Sequence, residues 1–261
     1  MVLPNYAHVE SVGNNMLELV IVRHGESVRN HASDLAHHGD RALLEYQLKF
    51  DRDESGWDLT QRGIQQAKEA GAWIRSNIGS TFDAKFVSPF KRARQTAYNL
   101  GLRGNHWMVD ERLQERNWGD YEAPGQPPYT VEQYLGDLCM CGIVDWKREF
   151  PGAESIEDMI PRCASFMHDL LLKHREGRVV LVTHGGTMKS LQLVIERLSV
   201  AEAGKLASRH LTNCSVLQYQ LTDISADATS WKGEVRFSCP ALPDHPTSEW
   251  EDLAGLTLVR A

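Results

Sequence analysis

Two histidines of this sequence have the same setting, at the end of an apolar run and directly before a glycine. His24 follows the apolar residues 19–22 with Arg23 between them, and His184 follows residues 179–183. A histidine attacks phosphorus through an unprotonated ring nitrogen, and its ordinary pKa of about 6.5 leaves much of it neutral near pH 7. An adjacent arginine can pair two phosphate oxygens at once. Either histidine segment alone could equally be an ordinary surface feature. Together the two segments predict a phosphoryl-transfer site.

A second arginine extends this cationic set. Arg92 lies near the start of a predicted helix that follows Ser88 and Pro89. The same helix carries Lys91 and Arg94, so a solvated basic face is the alternative interpretation. Phosphoryl transfer is stabilised mainly by positioned positive charge. Two guanidiniums and two imidazoles at one place would therefore suit a phosphate ester.

The leaving oxygen of a phosphate ester needs a proton, and a carboxyl group is a suitable donor. Glu115 lies in the segment that follows a short predicted strand, and Glu111 and Glu122 compete with it for this role. A general acid of this kind typically contributes about 10²–10⁴ in rate. The residues alone leave the choice among these three carboxyl groups open.

Alternating strands and helices are expected to position these groups. Apolar or β-branched runs predict strands at 19–22, 85–88, 107–109, 179–183 and 214–221, with a further strand at 234–237. Helical spacing predicts helices after Thr60, over 90–100, over 156–174 after Ser155 and from about Gly186. This order predicts an α/β fold, a three-layer α/β/α sandwich with a mainly parallel central sheet and helical cap insertions. Its strand ends would meet at one edge, where such sheets bind ligands.

The chain length favours one domain over residues 1–261. The 261 residues are 42% hydrophobic, enough for one core. Cap insertions are expected near 31–57 and 120–150, with short helices at 32–38, 41–50, 131–138 and 143–150, and a C-terminal extension near 222–261. The formal charge of −7 disfavours nucleic-acid and membrane-surface partners. No membrane-spanning run or signal peptide is visible, so a cytoplasmic protein with reduced cysteines is expected.

A metal site is not predicted. Cys139 and Cys141 could form half of one, but no second cysteine pair supports it. His37 and His38 are adjacent and would point about 100° apart on a helix, which makes them poor joint ligands. Solvated side chains are the better interpretation for both.

The motifs resemble those of the histidine phosphatase superfamily, the phosphoglycerate-mutase-like group. The resemblance covers roughly residues 17–221 and consists of five blocks in the order of that family. These blocks are Arg23-His24-Gly25-Glu26-Ser27 with Asn30, Leu59-Thr60 with Gly63 and Gln66-Ala67, Ser88-Pro89 with Arg92-Ala93 and Gln95-Thr96, Glu115, and Thr183-His184-Gly185-Gly186.

The resemblance implies a role for each site residue and a chemistry without metal or other cofactor. His24 would become phosphorylated and Glu115 would be the proton donor. Arg23, Arg92 and His184 would be catalytic residues that hold the phosphoryl group, and Asn30 would touch the same group. Gly185 and Arg116 are further candidates for substrate binding. For Arg116 a salt-bridged structural arginine is an equally ordinary interpretation. The partner implied is a small-molecule phosphate ester, and the resemblance also allows a homodimer.

Three functions are compatible with these motifs. The first is a metal-independent phosphomonoester hydrolase that forms a phosphohistidine on His24. The second is a 2,3-bisphosphoglycerate-dependent phosphoglycerate mutase. Residues 120–125 depart from the Leu-Gln-Gly-Leu-Asn-Lys-like run of mutases and add acidic groups, which favours hydrolysis. The third is a phospho-ligand-binding protein without turnover, which loss of His24 or His184 would have indicated.

Overall fold

A central sheet is the main feature of the fold. The computed structural model describes residues 16–51, 53–118, 130–132, 153–199, 211–238, 240 and 251–252. In these residues the strands are β1 Leu17–Arg23, β2 Thr81–Phe82, β3 Ala84–Val87, β4 Arg103–Gly104, β5 Trp107–Val109, β6 Gly177–Thr183, β7 Val216–Thr222, β8 Lys232–Ser238 and β9 Glu251–Asp252. Strands β2 and β4 form a separate parallel pair.

The central sheet has the order β5-β3-β6-β1-β7-β8-β9. Strands β5, β3, β6 and β1 are mutually parallel, and β1/β7, β7/β8 and β8/β9 pair antiparallel. Five of the seven strands (β5, β3, β6, β1 and β8) therefore run in one direction, which confirms the mainly parallel sheet. The carboxyl ends of β1 and β6 are neighbours, since Arg23 pairs with Thr183.

Helices cover both faces of this sheet. They are α1 Val28–His37, α2 Ala42–Phe50, α3 Gln61–Asn77, α4 Lys91–Asn99, α5 Ile156–Lys173 and α6 Gly185–Ile195, and short 3-10 helices span Glu54–Gly56 and Glu111–Leu113. Leu19 and Ile21 of β1 pack in one core with α5 and α6. Val20 and Val22 point to the opposite core, with α3 and α4. The predicted three-layer α/β/α sandwich is confirmed.

The first insertion forms a small core of its own. Ala32 and Ala36 of α1 pack on Leu44 and Leu48 of α2, together with Val131. Helix α1 begins at Val28, earlier than the predicted 32, because Ser27 caps it with a reciprocal capping box. The helices predicted over 131–138 and 143–150 lie almost entirely outside the described residues.

Two predicted N-caps are confirmed, since Thr60 and Ser155 cap α3 and α5 as expected. The helix predicted over 90–100 spans Lys91–Asn99, with Phe90 as its N-cap, so Pro89 lies just before it as predicted. In the C-terminal region, β8 extends the central sheet beyond β7 over a longer range than the predicted 234–237.

Two expectations about surface and buried groups can be compared with the described residues. His37 and His38 are exposed, as expected. Cys163 and Cys214 are buried free thiols, whereas Cys139, Cys141 and Cys239 lie outside the described residues. Among the helices that the structure describes, none has the length and apolar character needed to cross a bilayer.

Candidate active site

His24 lies directly after the carboxyl end of β1, with its side chain buried. Its Nδ1 is 2.7 Å from the carbonyl oxygen of Gly25. A carbonyl oxygen can only accept a hydrogen bond, so this contact places the ring proton on Nδ1. The lone pair of Nε2 is thereby left for another partner, and Nε of Arg92 donates to it at 3.2 Å. His24 is therefore held as a neutral imidazole with Nε2 toward a guanidinium.

The surroundings of His24 favour its neutral form. Burial lowers its pKa well below 6.5, and the charges of Arg92 and Arg23 lower the pKa further. The hydrogen bond to Gly25 opposes this shift without reversing it. A neutral imidazole is the form that can act as a nucleophile.

Arg92 connects His24 to a carboxylate of the first insertion. Its Nη1 donates to the backbone carbonyl of Glu54 at 2.5 Å, and its Nη2 donates to Glu54 Oε1 at 3.0 Å. The guanidinium carbon also lies 4.9 Å from the ring centre of Phe90 and 5.6 Å from that of Trp57. The structure thus places Arg92 beside His24 and not on a solvated basic face.

His184 is fully buried at the carboxyl end of β6. Its ring centre is 5.0 Å from that of His24, in an edge-on arrangement. Its Nε2 lies 2.7 Å from the Ser88 hydroxyl, while Nδ1 is buried with no hydrogen-bond partner in the part of the chain that the structure describes. Burial lowers its pKa well below 6.5, with further lowering by Arg92 and by His24. A ring nitrogen of a neutral imidazole thus lies next to His24.

Glu115 reaches the same edge of the sheet from the loop after β5. Its Oε1 accepts from the backbone N–H of Arg116 at 3.0 Å, and its Oε2 accepts from the N–H of Gly186 at 3.4 Å. A side-chain carbon on Gly186 would come within 2.6 Å of Oε1. Glycine at this position therefore lets the carboxylate approach the start of α6, next to His184.

The segment that carries Glu115 is held in place by hydrogen bonds to its backbone carbonyls. Thr183 and Thr187 donate through their hydroxyls to the carbonyls of Leu113 and Gln114, at 2.7 and 2.6 Å. From α5, Arg162 donates to the carbonyls of Arg112, Gln114 and Glu115 at 2.6, 2.9 and 3.3 Å. The position of Glu115 is thus fixed by two separate helices.

The remaining predicted site residues lie around this centre. Arg23 donates through Nη1 to the carbonyl of Leu211, and a side-chain carbon on Gly185 would lie 3.5 Å from its Nε. Asn30 Oδ1 accepts from the amide of Asn213 at 3.2 Å, and the same amide donates to the carbonyl of His24 at 3.1 Å. These contacts place Arg23, Asn30 and Gly185 at the end of β1.

Arg116 is next to Glu115 and is buried. Its guanidinium carbon lies 4.1 Å from the ring centre of Trp118. No ion pair with a carboxylate is found for Arg116 among the described residues, and its Nη2 is buried there without a hydrogen bond. Arg116 thus lies beside Glu115 with its guanidinium against Trp118.

The second motif block supports the first by close backbone contact. A side-chain carbon on Gly25 would approach the carbonyl oxygen of Gly63 to 2.4 Å, and one on Gly63 would approach that of Glu26 to 2.1 Å. The Glu26 carboxylate accepts from the Thr60 hydroxyl at 2.6 Å. The start of α3 thus packs directly on the turn that carries His24.

Sequence reasoning missed three residues of this centre. Glu54 carries no distinguishing signal, because it is one of several acidic residues in a polar insertion. Arg162 likewise gives no sign of its contacts across the chain. Asn213 lies directly before the strand predicted at 214–221. It could have been found if that strand had been known to run antiparallel, since its start then lies beside the end of β1.

No metal site is apparent in the described residues. Over these residues, no three His, Cys, Asp or Glu side chains are grouped so that they could hold a metal ion. The pair Cys139 and Cys141 lies outside them.

Comparisons with known proteins identify the family. The model of the histidine phosphatase superfamily (branch 1) matches residues 19–232. The chain is 29% identical to a 2,3-bisphosphoglycerate-dependent phosphoglycerate mutase of Azorhizobium caulinodans over 228 residues, which cover 81% of this chain and 94% of that protein.

Two solved structures have the same fold. A phosphoserine phosphatase of Entamoeba histolytica in complex with 3-phosphoglyceric acid has a TM-score of 0.54 at 24% identity, covering 78% of this chain and 90% of that chain. A mycobacterial glucosyl-3-phosphoglycerate phosphatase in complex with VO3 has a TM-score of 0.54 at 26% identity, covering 77% and 92%. Related proteins are thus named as mutases or as phosphatases. Since the family model covers most of the chain, this protein belongs to the histidine phosphatase superfamily, branch 1.

Proposed function

We propose that this protein is a metal-independent phosphomonoester hydrolase that acts through a phosphohistidine on His24. The observation that carries this proposal is the arrangement of the His24 ring. Nδ1 is tied to the Gly25 carbonyl, and Nε2 lies against Arg92 in a buried site. The substrate is a small-molecule phosphate ester whose phosphoryl group lies between Arg23, Arg92 and His184.

In the first step the incoming phosphoryl group displaces Nε of Arg92 from His24 Nε2. The lone pair of Nε2 then attacks phosphorus, and the bond from phosphorus to the ester oxygen breaks. Glu115, which enters as a carboxylic acid, gives its proton to the leaving alkoxide. Arg92 retains unused N–H groups for the phosphoryl oxygens, and Arg23 and the buried nitrogen of His184 add to them. These groups stabilise the charge that develops in the transition state.

In the second step a water molecule attacks the phosphohistidine. The Glu115 carboxylate takes a proton from that water, and the nitrogen–phosphorus bond breaks. Inorganic phosphate leaves, His24 again carries a lone pair on Nε2, and Glu115 is again an acid. Asn30, Gly185 and Arg116 are proposed to bind the substrate around this centre. Arg116 would contact a second polar or acidic group of the substrate.

A phosphoglycerate mutase is the second candidate. The names of curated relatives, at 29% identity, favour it. Against it stands the run Asp120 to Gly125, which lacks a lysine that the mutase motif supplies and adds acidic residues to that motif. This run lies outside the described residues, so the preference for hydrolysis rests on sequence.

The test is to incubate the purified protein with 3-phosphoglycerate, with and without a trace of 2,3-bisphosphoglycerate, and to follow free phosphate and 2-phosphoglycerate together. We expect phosphate without isomerisation, and the same rate after treatment with EDTA. Rapid formation of 2-phosphoglycerate would make the protein a mutase. If neither product forms, the next assays are hydrolysis of p-nitrophenyl phosphate and acid-labile phosphorylation of His24. A positive result indicates another ester substrate, and a negative result in both indicates a protein without turnover.

A further inference from the structure

Glu54 is a buried carboxylate that the proposed mechanism does not use. It lies in a 3-10 helix of the first insertion, against the guanidinium of Arg92. Only 8% of the Glu54 side chain and 5% of the Arg92 side chain are exposed. Through its third hydrogen bond, from Nε, the same guanidinium contacts the nucleophilic nitrogen of His24. One planar group therefore joins Glu54 to the reacting atom.

The hydrogen-bonding capacity of Arg92 allows it to serve Glu54 and a substrate together. A guanidinium has five N–H donors in a fixed plane. Three of them point to the Glu54 carbonyl, the Glu54 carboxylate and His24 Nε2. Among the described contacts, one N–H on each terminal nitrogen remains for phosphoryl oxygens. Glu54 thus fixes the plane of Arg92 through the terminal nitrogens, while the contact of Nε with His24 gives way to the phosphoryl group.

The chain around Glu54 is itself held in place. Asp53 caps the short helix by accepting hydrogen bonds from the N–H and the hydroxyl of Ser55, at 3.0 and 2.6 Å. The buried ring of Trp57 lies against Arg92 and against Arg29, whose guanidinium carbon is 4.0 Å from the ring centre. A carboxylate on such a fixed segment can hold an arginine in one orientation.

The charge of Glu54 has a second consequence for an anionic ligand. A carboxylate beside Arg92 offsets part of the positive charge that a free phosphate would feel, and such effects are strong in a buried site. The contact therefore weakens the binding of an anion while it orients the guanidinium for the transition state. Interactions of this kind lower ground-state affinity and raise the rate of the chemical step.

We propose that Glu54 is a positioning residue, which holds Arg92 in the plane needed for phosphoryl transfer to His24 at the cost of affinity for free phosphate. This inference rests on the proposed function of the site. It predicts opposite changes in binding and in chemistry when the charge of Glu54 is removed. If the ion pair were purely structural, the same change would weaken phosphate binding and slow phosphorylation together.

The experiment compares Glu54→Gln, Glu54→Ala and the unmodified protein. The rate of His24 phosphorylation is measured by rapid quench with p-nitrophenyl phosphate. The affinity for inorganic phosphate is measured by using it as a competitive inhibitor. In Glu54→Gln we expect phosphorylation to be roughly tenfold slower and phosphate to bind roughly threefold to tenfold more tightly. Glu54→Ala should slow phosphorylation further, since it also removes the hydrogen-bond acceptor. Glu45→Gln, an exposed carboxylate on α2, should change neither quantity.

A double-mutant cycle shows whether Glu54 acts through Arg92. Lysine cannot form the planar fork, so in an Arg92→Lys background the change Glu54→Gln should alter phosphorylation by less than about twofold. An equal effect in both backgrounds, or weaker phosphate binding in Glu54→Gln, would overturn the proposal. Unchanged phosphorylation and phosphate binding in Glu54→Gln would overturn it while leaving the hydrolase intact. No turnover by the unmodified protein would overturn the proposed function and the positioning role together.

Discussion

The hydrogen bonds of individual side chains decide the chemistry of this site. The carbonyl of Gly25 sets which nitrogen of His24 carries the proton, and burial keeps the ring neutral. His184 is kept neutral by the same physical cause. The two carboxylates near them differ in their contacts: Glu54 pairs with a guanidinium, whereas Glu115 accepts only backbone N–H groups among its described hydrogen bonds. Glu115 therefore has no cationic partner among these contacts and lies beside the start of α6.

Replacement of Glu115 tests its role as the acid. We expect Glu115→Gln to slow hydrolysis of an alkyl phosphate such as glycerol phosphate by roughly 10²–10⁴. The loss on p-nitrophenyl phosphate should be much smaller, because p-nitrophenolate leaves without a proton. The ratio of kcat/KM for the two substrates is the measurement.

The matched control is Glu111→Gln, since Glu111 is exposed and lies in the short helix before the same loop. It should leave both substrates within about twofold of the unmodified protein. Equal losses on both substrates in Glu115→Gln would exclude the acid role.

At the scale of elements, the turn after β1 depends on a neighbouring helix. The starts of α1 and α3 meet at Gly25 and Gly63, where neither backbone leaves room for a side-chain carbon. Further contacts tie the same segments together, since Gly25 N–H donates to Thr96 of α4 and Glu26 N–H donates to Gln66 of α3. The motif residues outside the catalytic set thus have a packing function.

A methyl group at Gly63 tests this contact. Gly63→Ala would bring a carbon within 2.1 Å of the Glu26 carbonyl oxygen, so the turn that carries His24 must shift. We expect the free energy of unfolding to fall by about 1–3 kcal/mol, with Tm lower by roughly 3–10 °C and turnover reduced. Thermal unfolding and a p-nitrophenyl phosphate assay measure the two effects.

Gly56→Ala is the control for this substitution, because the nearest atom to its added carbon would be Asp53 Oδ2 at 3.5 Å, an ordinary contact. Its Tm should stay within about 2 °C of the unmodified protein. If Gly63→Ala retains both the Tm and the turnover of the unmodified protein, the close packing has no such function.

Local patterns were sufficient to predict most of these elements and the centre of the site. Strands such as β1 and β6 are buried on both faces, so their apolar runs are continuous, and the caps at Thr60 and Ser155 are local signals. The contacts of Glu54 and Arg162 are different, because they join segments far apart in the chain. Only the folded arrangement shows which acidic residue of a polar insertion faces Arg92.

The whole molecule combines a negative net charge with a locally positive site. The chain has a formal charge of −7, yet Arg23, Arg92 and two buried imidazoles converge at one edge of the sheet. In the proposed function, these few groups hold the anionic substrate. The same buried imidazoles make the stability of the fold depend on pH, since their protonation in the native state is disfavoured.

The sign of this dependence follows from the lowered pKa values of His24 and His184. Above about pH 6.5 the imidazoles are neutral in both the folded and the unfolded chain, so they contribute no difference. Below about pH 6.5 the unfolded chain binds protons at these histidines and the native chain does not. The free energy of unfolding therefore decreases as the pH falls. Each histidine contributes a slope of up to about 1.4 kcal/mol per pH unit.

Thermal unfolding between pH 7.5 and 5.5 tests this effect on the whole chain. Two buried histidines are expected to reduce stability by up to about 2.7 kcal/mol over this range, which corresponds to a fall in Tm of about 5–10 °C. The double variant His24→Asn, His184→Asn should flatten the slope, leaving a remainder from His174, whose pKa burial also lowers. The exposed His106, replaced by Asn, should leave the slope unchanged. An unchanged slope in the double variant would show that groups other than His24 and His184 control acid unfolding.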